Sequence, residues 1–179
     1  MFATRFSRLV LSLFVLAGAL WLGIAVARLA VGYDAFITGT VMLKSKLSQP
    51  VLLQTIWLYT SLGMWTTIAF GVTSVMGLWV IWLVRSWFKR HGWLLMSAIL
   101  FAIMMPAQAF VIDADLLLWS FFDYHTGMPL AQPGEIINVF TSRFSNQAIG
   151  ITTSLVLLSG FTLVLFTTMR PLHNNTTEE

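Results

Sequence analysis

Apolar residues in this chain run in long unbroken stretches rather than in alternation. Four runs reach the ~20 residues that carry a helix across a bilayer: 9–27, 64–84, 93–112 and 148–169. Charge bounds each of them. Arg8 and Arg28 flank the first, Arg85 ends the second, Asp113 the third and Arg170 the fourth. A barrel strand would show ~10 residues of strict alternation, and these runs are continuous. The pattern predicts an all-α polytopic membrane protein, with four transmembrane helices in one bundle and one domain over residues 1–179. The first run competes with a signal peptide, since residues 1–8 are basic and Ala25-Val26-Ala27 resembles a cleavage site. Its apolar stretch is longer than the usual ~7–15 residues of such a peptide, which favours a span.

Two long connections, 28–63 and 113–147, fall on one side of the bundle. In the first, Gly32, Gly39 and Pro50 read as breakers. Residues 51–63 are apolar but exceed the length allotted to the second span. They either extend that helix or lie at the interface, and the spread of Gln54, Thr55, Thr60 and Ser61 around the helix favours extension. With 51–63 taken into the second helix, the connection between the third and fourth helices is the longer and more irregular. Its apolar stretch 116–122 continues the third helix or lies on the membrane. Residues 135–144 form a short helix, and Ser145 or Asn146 caps the fourth span. The polar tail 171–179 is expected to fray.

Composition agrees with the membrane assignment. The chain is 58% apolar and 9% charged, against about 45–50% and 25% in soluble domains. Ten basic and seven acidic residues are too few for the basic stripe of a nucleic-acid binder. No cysteine is present, so disulfides, thiolate metal sites and cysteine nucleophiles are excluded. With the N-terminus inside, Arg5, Arg8, Arg85, Lys89, Arg90 and Arg170 are cytoplasmic, and Arg28, Lys44, Lys46 and Arg143 are outside. The positive-inside rule then gives an N-in, C-in topology, as in a bacterial cytoplasmic (inner) membrane. Tyr33, Trp57, Tyr59, Trp65, Trp119 and Tyr124 would ring the outer interface, and Trp79, Trp82, Trp87 and Trp93 the inner one. Trp21 falls near mid-span, where its indole N–H needs a partner.

Small residues recur at helical spacing: Ser12, Ala19, Gly23, Ala27 and Ala30; Gly63, Thr67, Gly71 and Ser74; Ala98, Ala102, Pro106 and Ala109; Gly150 and Ser154. Such faces let helix backbones approach. The favoured expectation is that they close the bundle on itself; the alternative is that one of them meets a partner protein. The hydroxyl-rich second and fourth spans are expected to bond their own i−4 carbonyls.

Candidate chemistry is sparse. Pro106 frees a backbone carbonyl in the third span, and Gln108 is placed to satisfy it, to cross-link helices or to line a gate. Arg28 closes the first span at the depth of Asp113 and Asp115, so an ion pair with one of them is the most specific expected contact. Asp123, Tyr124 and His125 form a polar trio without metal-ligand spacing. No cofactor, metal or catalytic constellation is expected, and no histidine lies within a span to hold haem. The leading expectation is a non-enzymatic subunit (accessory, assembly or scaffold) of a larger membrane-protein complex, with lipids and other integral membrane proteins as partners. A small oligomeric transporter or channel built around Pro106 and Gln108 is the alternative. A membrane enzyme with its site in 113–135 is the third.

Overall fold

A computed structural model describes residues 5–169. Arg170 and the tail 171–179 lie outside the described residues, as do residues 1–4. Five α-helices follow one another: α1 (Arg5–Asp34), α2 (Gln49–Val84), α3 (Gly92–Trp119), α4 (Pro133–Ser145) and α5 (Gln147–Met169). One 3-10 turn, Arg85–Trp87, joins α2 to α3. Among the described residues there is no strand. Four helices, all but α4, are long and apolar enough to cross a membrane. The chain is thus an all-helical integral membrane protein.

The helices outrun the hydropathy windows at the end where α4 lies. α2 continues without a break through 51–63, because Leu52, Ile56 and Tyr59 recur on one face and are buried there. α3 runs on to Trp119, whose indole N–H donates to the Thr60 carbonyl of α2 (2.9 Å). Gly32 does not break α1; it lies inside that helix, where its missing Cβ makes room for the Tyr59 and Phe144 rings. Asn146, rather than Ser145, caps α5, its side-chain oxygen accepting the Ala148 N–H at 3.0 Å. The remaining loops are two tight turns. Ile37 N–H donates to the Met42 carbonyl around Gly39 (φ 79°), and Asp123 N–H donates to the Met128 carbonyl around Gly127 (φ 69°).

α1 and α2 are antiparallel neighbours. Phe6 meets Trp79, Trp21 meets Phe70 and Arg28 meets Gly63, so partner numbers fall as α1 numbers rise. α3 packs mainly against α5 and also on α2. Two apolar clusters fill the bundle. Trp21, Leu22, Phe70, Phe101, Met104 and Val156 occupy its middle. Phe36, Ile56, Tyr59, Leu118, Ile136 and Phe140 form the second, under α4. α4 packs against that end because Ile136, Phe140 and Arg143, one helical face, are all buried.

Of the four small-residue faces only that of α2 turns partly inward, with Gly63 and Ser74 buried; the other three do not close the bundle as expected. Ser12, Ala19, Gly23, Ala27 and Ala30 of α1 are exposed, as are Ala102, Pro106 and Ala109 of α3 and Gly150 and Ser154 of α5. The core is instead built on large side chains, so close approach is needed at isolated glycines facing a ring or a guanidinium. Gly77 receives the Phe101 ring, Gly160 the Trp21 and Leu22 side chains, and Gly63 the Arg28 guanidinium. Alanine at Gly77 or Gly160 should therefore overpack and cost about 1–3 kcal/mol. At Gly23 and Gly71 a Cβ meets nothing within 4 Å, so alanine there should be neutral or gain up to about 1 kcal/mol. Unfolding midpoints of the four purified variants check the contrast.

Candidate functional site

The most specific polar arrangement lies at the α4 end, inside the bundle. Asp115 of α3 stands on the inward face of its helix with Gln108, Val111 and Leu118. Its two carboxylate oxygens are divided between two arginines. Oδ2 accepts from Arg28 Nη1 of α1 at 2.6 Å, and Oδ1 accepts from Arg143 Nε of α4 at 2.5 Å. The three side chains are 6%, 3% and 7% exposed, so water screens none of them. Arg28 Nε also donates to the Tyr59 carbonyl of α2 at 3.3 Å, and its guanidinium lies 4.2 Å above the Tyr59 ring. Arg143 approaches the same ring at 5.3 Å. Gly63 admits this packing: a Cβ there would stand 2.9 Å from Arg28 Cζ. Four helices thus meet at one ion cluster, which carries a formal charge of +1 from two guanidinium groups and one carboxylate.

Of the two acids considered for Arg28, helical phase selects Asp115. Asp113 lies two residues away, about 200° around the helix, and is exposed on the outward face with Ala102, Pro106 and Ala109. Arg143 is the residue the sequence analysis missed, having counted it as an outer-loop charge. Its spacing from Ile136 and Phe140 placed it on the apolar face of α4 and was the available signal. Tyr59 is likewise not an interfacial ring residue; it is fully buried beneath the two arginines.

Beside the cluster is a cavity of about 30 Å³. Trp21, Ala25 and Leu29 of α1, Tyr59 and Thr66 of α2, Gln108 and Val111 of α3, and Thr153, Val156 and Leu157 of α5 line it with both arginines. Four buried polar atoms of these residues have no hydrogen-bond partner: Trp21 Nε1, Arg28 Nη2, Tyr59 OH and Thr153 Oγ1. Thr66, Thr67, Thr73, Ser154 and Thr162 each donate to their own i−4 carbonyl, as expected, whereas Ser74 Oγ is buried without a partner. Pro106 lies within an uninterrupted α3 on its exposed side, whereas Gln108 faces the cavity.

The Asp123–His125 segment serves the turn that carries it. Asp123 accepts from the Thr126 hydroxyl (2.6 Å) and from the His125 N–H (3.0 Å), and these two bonds hold its carboxyl below the usual carboxylate range. Among the described residues no three His, Asp or Glu side chains converge as metal ligands would.

These features define a class: a helical integral membrane protein whose spans are tied by a buried Arg–Asp–Arg cluster. Comparison with known proteins gives no matching family model, no matching curated protein and no matching solved structure.

Neutralising Asp115 removes the one anion facing two buried cations, and Asp115→Asn should cost about 3–5 kcal/mol. Arg143→Gln should cost less, because Asp115 keeps Arg28. Denaturant unfolding of both variants against the parent protein tests this order; equal stability of Asp115→Asn and parent would contradict a closed cluster.

Proposed function

We propose that this chain is a non-enzymatic subunit, accessory or scaffolding in character, of a larger complex of integral membrane proteins. The observation that carries the proposal is the outward direction of the small-residue faces on α1, α3 and α5. In lipid, helices associate by close packing at small residues rather than by a hydrophobic drive. The bundle meets its own need for close approach at Gly63, Gly77 and Gly160. The outward faces therefore remain open to helices of another protein. On α3 the face ends at the exposed Asp113. That carboxylate sits about 9 Å inside the end of α3 at Trp119, at 1.5 Å per residue. A charge that closes an apolar run on an outward face suits a basic or hydrogen-bonding residue on a neighbouring helix.

The cluster supports an N-in, C-in arrangement in a bacterial cytoplasmic membrane. Arg28 and Arg143 are consumed by Asp115, leaving Lys44 and Lys46 as the basic residues at the surface of the α4 end. Arg5, Arg85, Lys89 and Arg90 stand at the other. The orientation rests on that excess of basic residues at the end away from α4.

The test is gentle extraction into a native-like membrane mimic, sizing, and mass spectrometry of what remains bound. The expected result is a stoichiometric hetero-complex that Ala102→Leu and Ala109→Leu dissociate while the free chain keeps its unfolding midpoint. Recovery of the chain alone, or as a homo-oligomer, would overturn the proposal. Small-solute transport is the second reading, favoured by Gln108 lining an interior cavity. Under it, Gln108→Leu should abolish flux in proteoliposomes; under the subunit proposal that substitution changes stability or assembly alone.

A further inference from the structure

We propose that the cavity beside Arg28 is a binding site for one small monovalent anion of the halide class. Three observations converge on it. The first is charge. Arg28, Arg143 and Asp115 sum to +1 within the bundle, and both carboxylate oxygens are already engaged. An unbalanced charge in a low-dielectric interior is expensive. The second is the set of unpartnered groups. Arg28 Nη2 and Trp21 Nε1 can only donate, and the Tyr59 and Thr153 hydroxyls can donate as well. All four belong to residues lining one cavity, and Trp21, Arg28 and Tyr59 are 2%, 5% and 0% exposed. A buried donor left unmade costs about 1–3 kcal/mol, more when charged. The third is size. A cavity of about 30 Å³ admits about one or two water-sized spheres. That suits a monatomic anion and is small for a tetrahedral oxyanion.

The alternatives meet this chemistry less well. A cation would face a net positive cluster, with only the neutral oxygens of Gln108, Tyr59 and Thr153 to accept it. Water would satisfy the hydrogen bonds but leave the charge uncompensated. A halide accepts from several donors at once and brings the cluster to neutrality. It also explains why Trp21 sits at mid-span with its N–H aimed into the bundle.

The experiment uses the full chain, purified in detergent, melted in sodium chloride or sodium bromide against sodium gluconate at equal ionic strength. The expected result is a saturable rise of the unfolding midpoint with either halide and none with gluconate. Trp21→Phe removes one donor and should raise the half-maximal halide concentration about tenfold. Gln108→Glu places a carboxylate in the cavity and should remove the halide response. Crystals soaked in bromide should show an anomalous peak within hydrogen-bonding distance of Arg28 Nη2. Equal midpoints in halide and gluconate, a halide response unchanged in Gln108→Glu, or water without an anomalous signal at that position would each overturn the proposal.

Discussion

One carboxylate organises this molecule. Asp115 receives a guanidinium from α1 and another from α4, and the ring of Tyr59 on α2 lies beneath both. In water such a cluster would add little to an apolar core, since desolvation offsets the Coulomb gain. In a bilayer the comparison changes. Lipid tails are as apolar as leucine, so burying leucine between helices gives little preference for one register over another. A shared carboxylate does give one. Sliding α1 by a turn relative to α3 would leave Arg28 and Asp115 each buried without its counter-charge. The cluster fixes the relative heights of α1, α2 and α3, and the apolar side chains then pack at those heights.

α4 depends on the same contact. It is a short helix and cannot span. Its inward face carries Ile136 and Phe140 over the Tyr59–Phe36 cluster and then Arg143 onto Asp115. Apolar burial would hold α4 against the bundle end but leave its rotation loosely defined. The Arg143–Asp115 bond sets that rotation. Phe144 is then carried into contact with Tyr33, Phe36 and Tyr59, so α1 and α2 are packed from above by aromatic rings. The cap and the cluster are one construction, and neither is complete without the other.

The sequence made the four spans legible because ~20 apolar residues between charges admit few alternatives. It was poorer at their ends. Hydropathy reports where a helix is apolar, not where it stops, and α2 and α3 continue past the apolar window wherever a neighbour covers their inner face. The Arg28 ion pair was legible as a choice between two acids, and helical phase settles it: Asp115 shares a face with Gln108, Val111 and Leu118. Arg143 was missed because its charge was weighed before its spacing from Phe140. The small-residue faces were visible, but their direction was not. Small residues permit close approach without naming the partner, and only the position of the large rings of Trp21, Phe70 and Phe101 reveals which sides the bundle itself uses.

The cluster also shapes what the interior can accept. Two arginines on one aspartate satisfy the carboxylate and leave guanidinium donors over. Arg28 Nη2 is one of these, and it lies beside the cavity where the Trp21, Tyr59 and Thr153 polar atoms are unpartnered. A neutral Arg–Asp pair would have held α1 to α3 equally well, so the surplus charge comes from recruiting α4 through a second cation. The device that locks the cap is therefore the one that leaves the core positive. Compensation has to come from inside the bundle, because the exposed Asp113 lies on the far face of α3. A bundle held this way is driven to take up negative charge at the point where its helices meet.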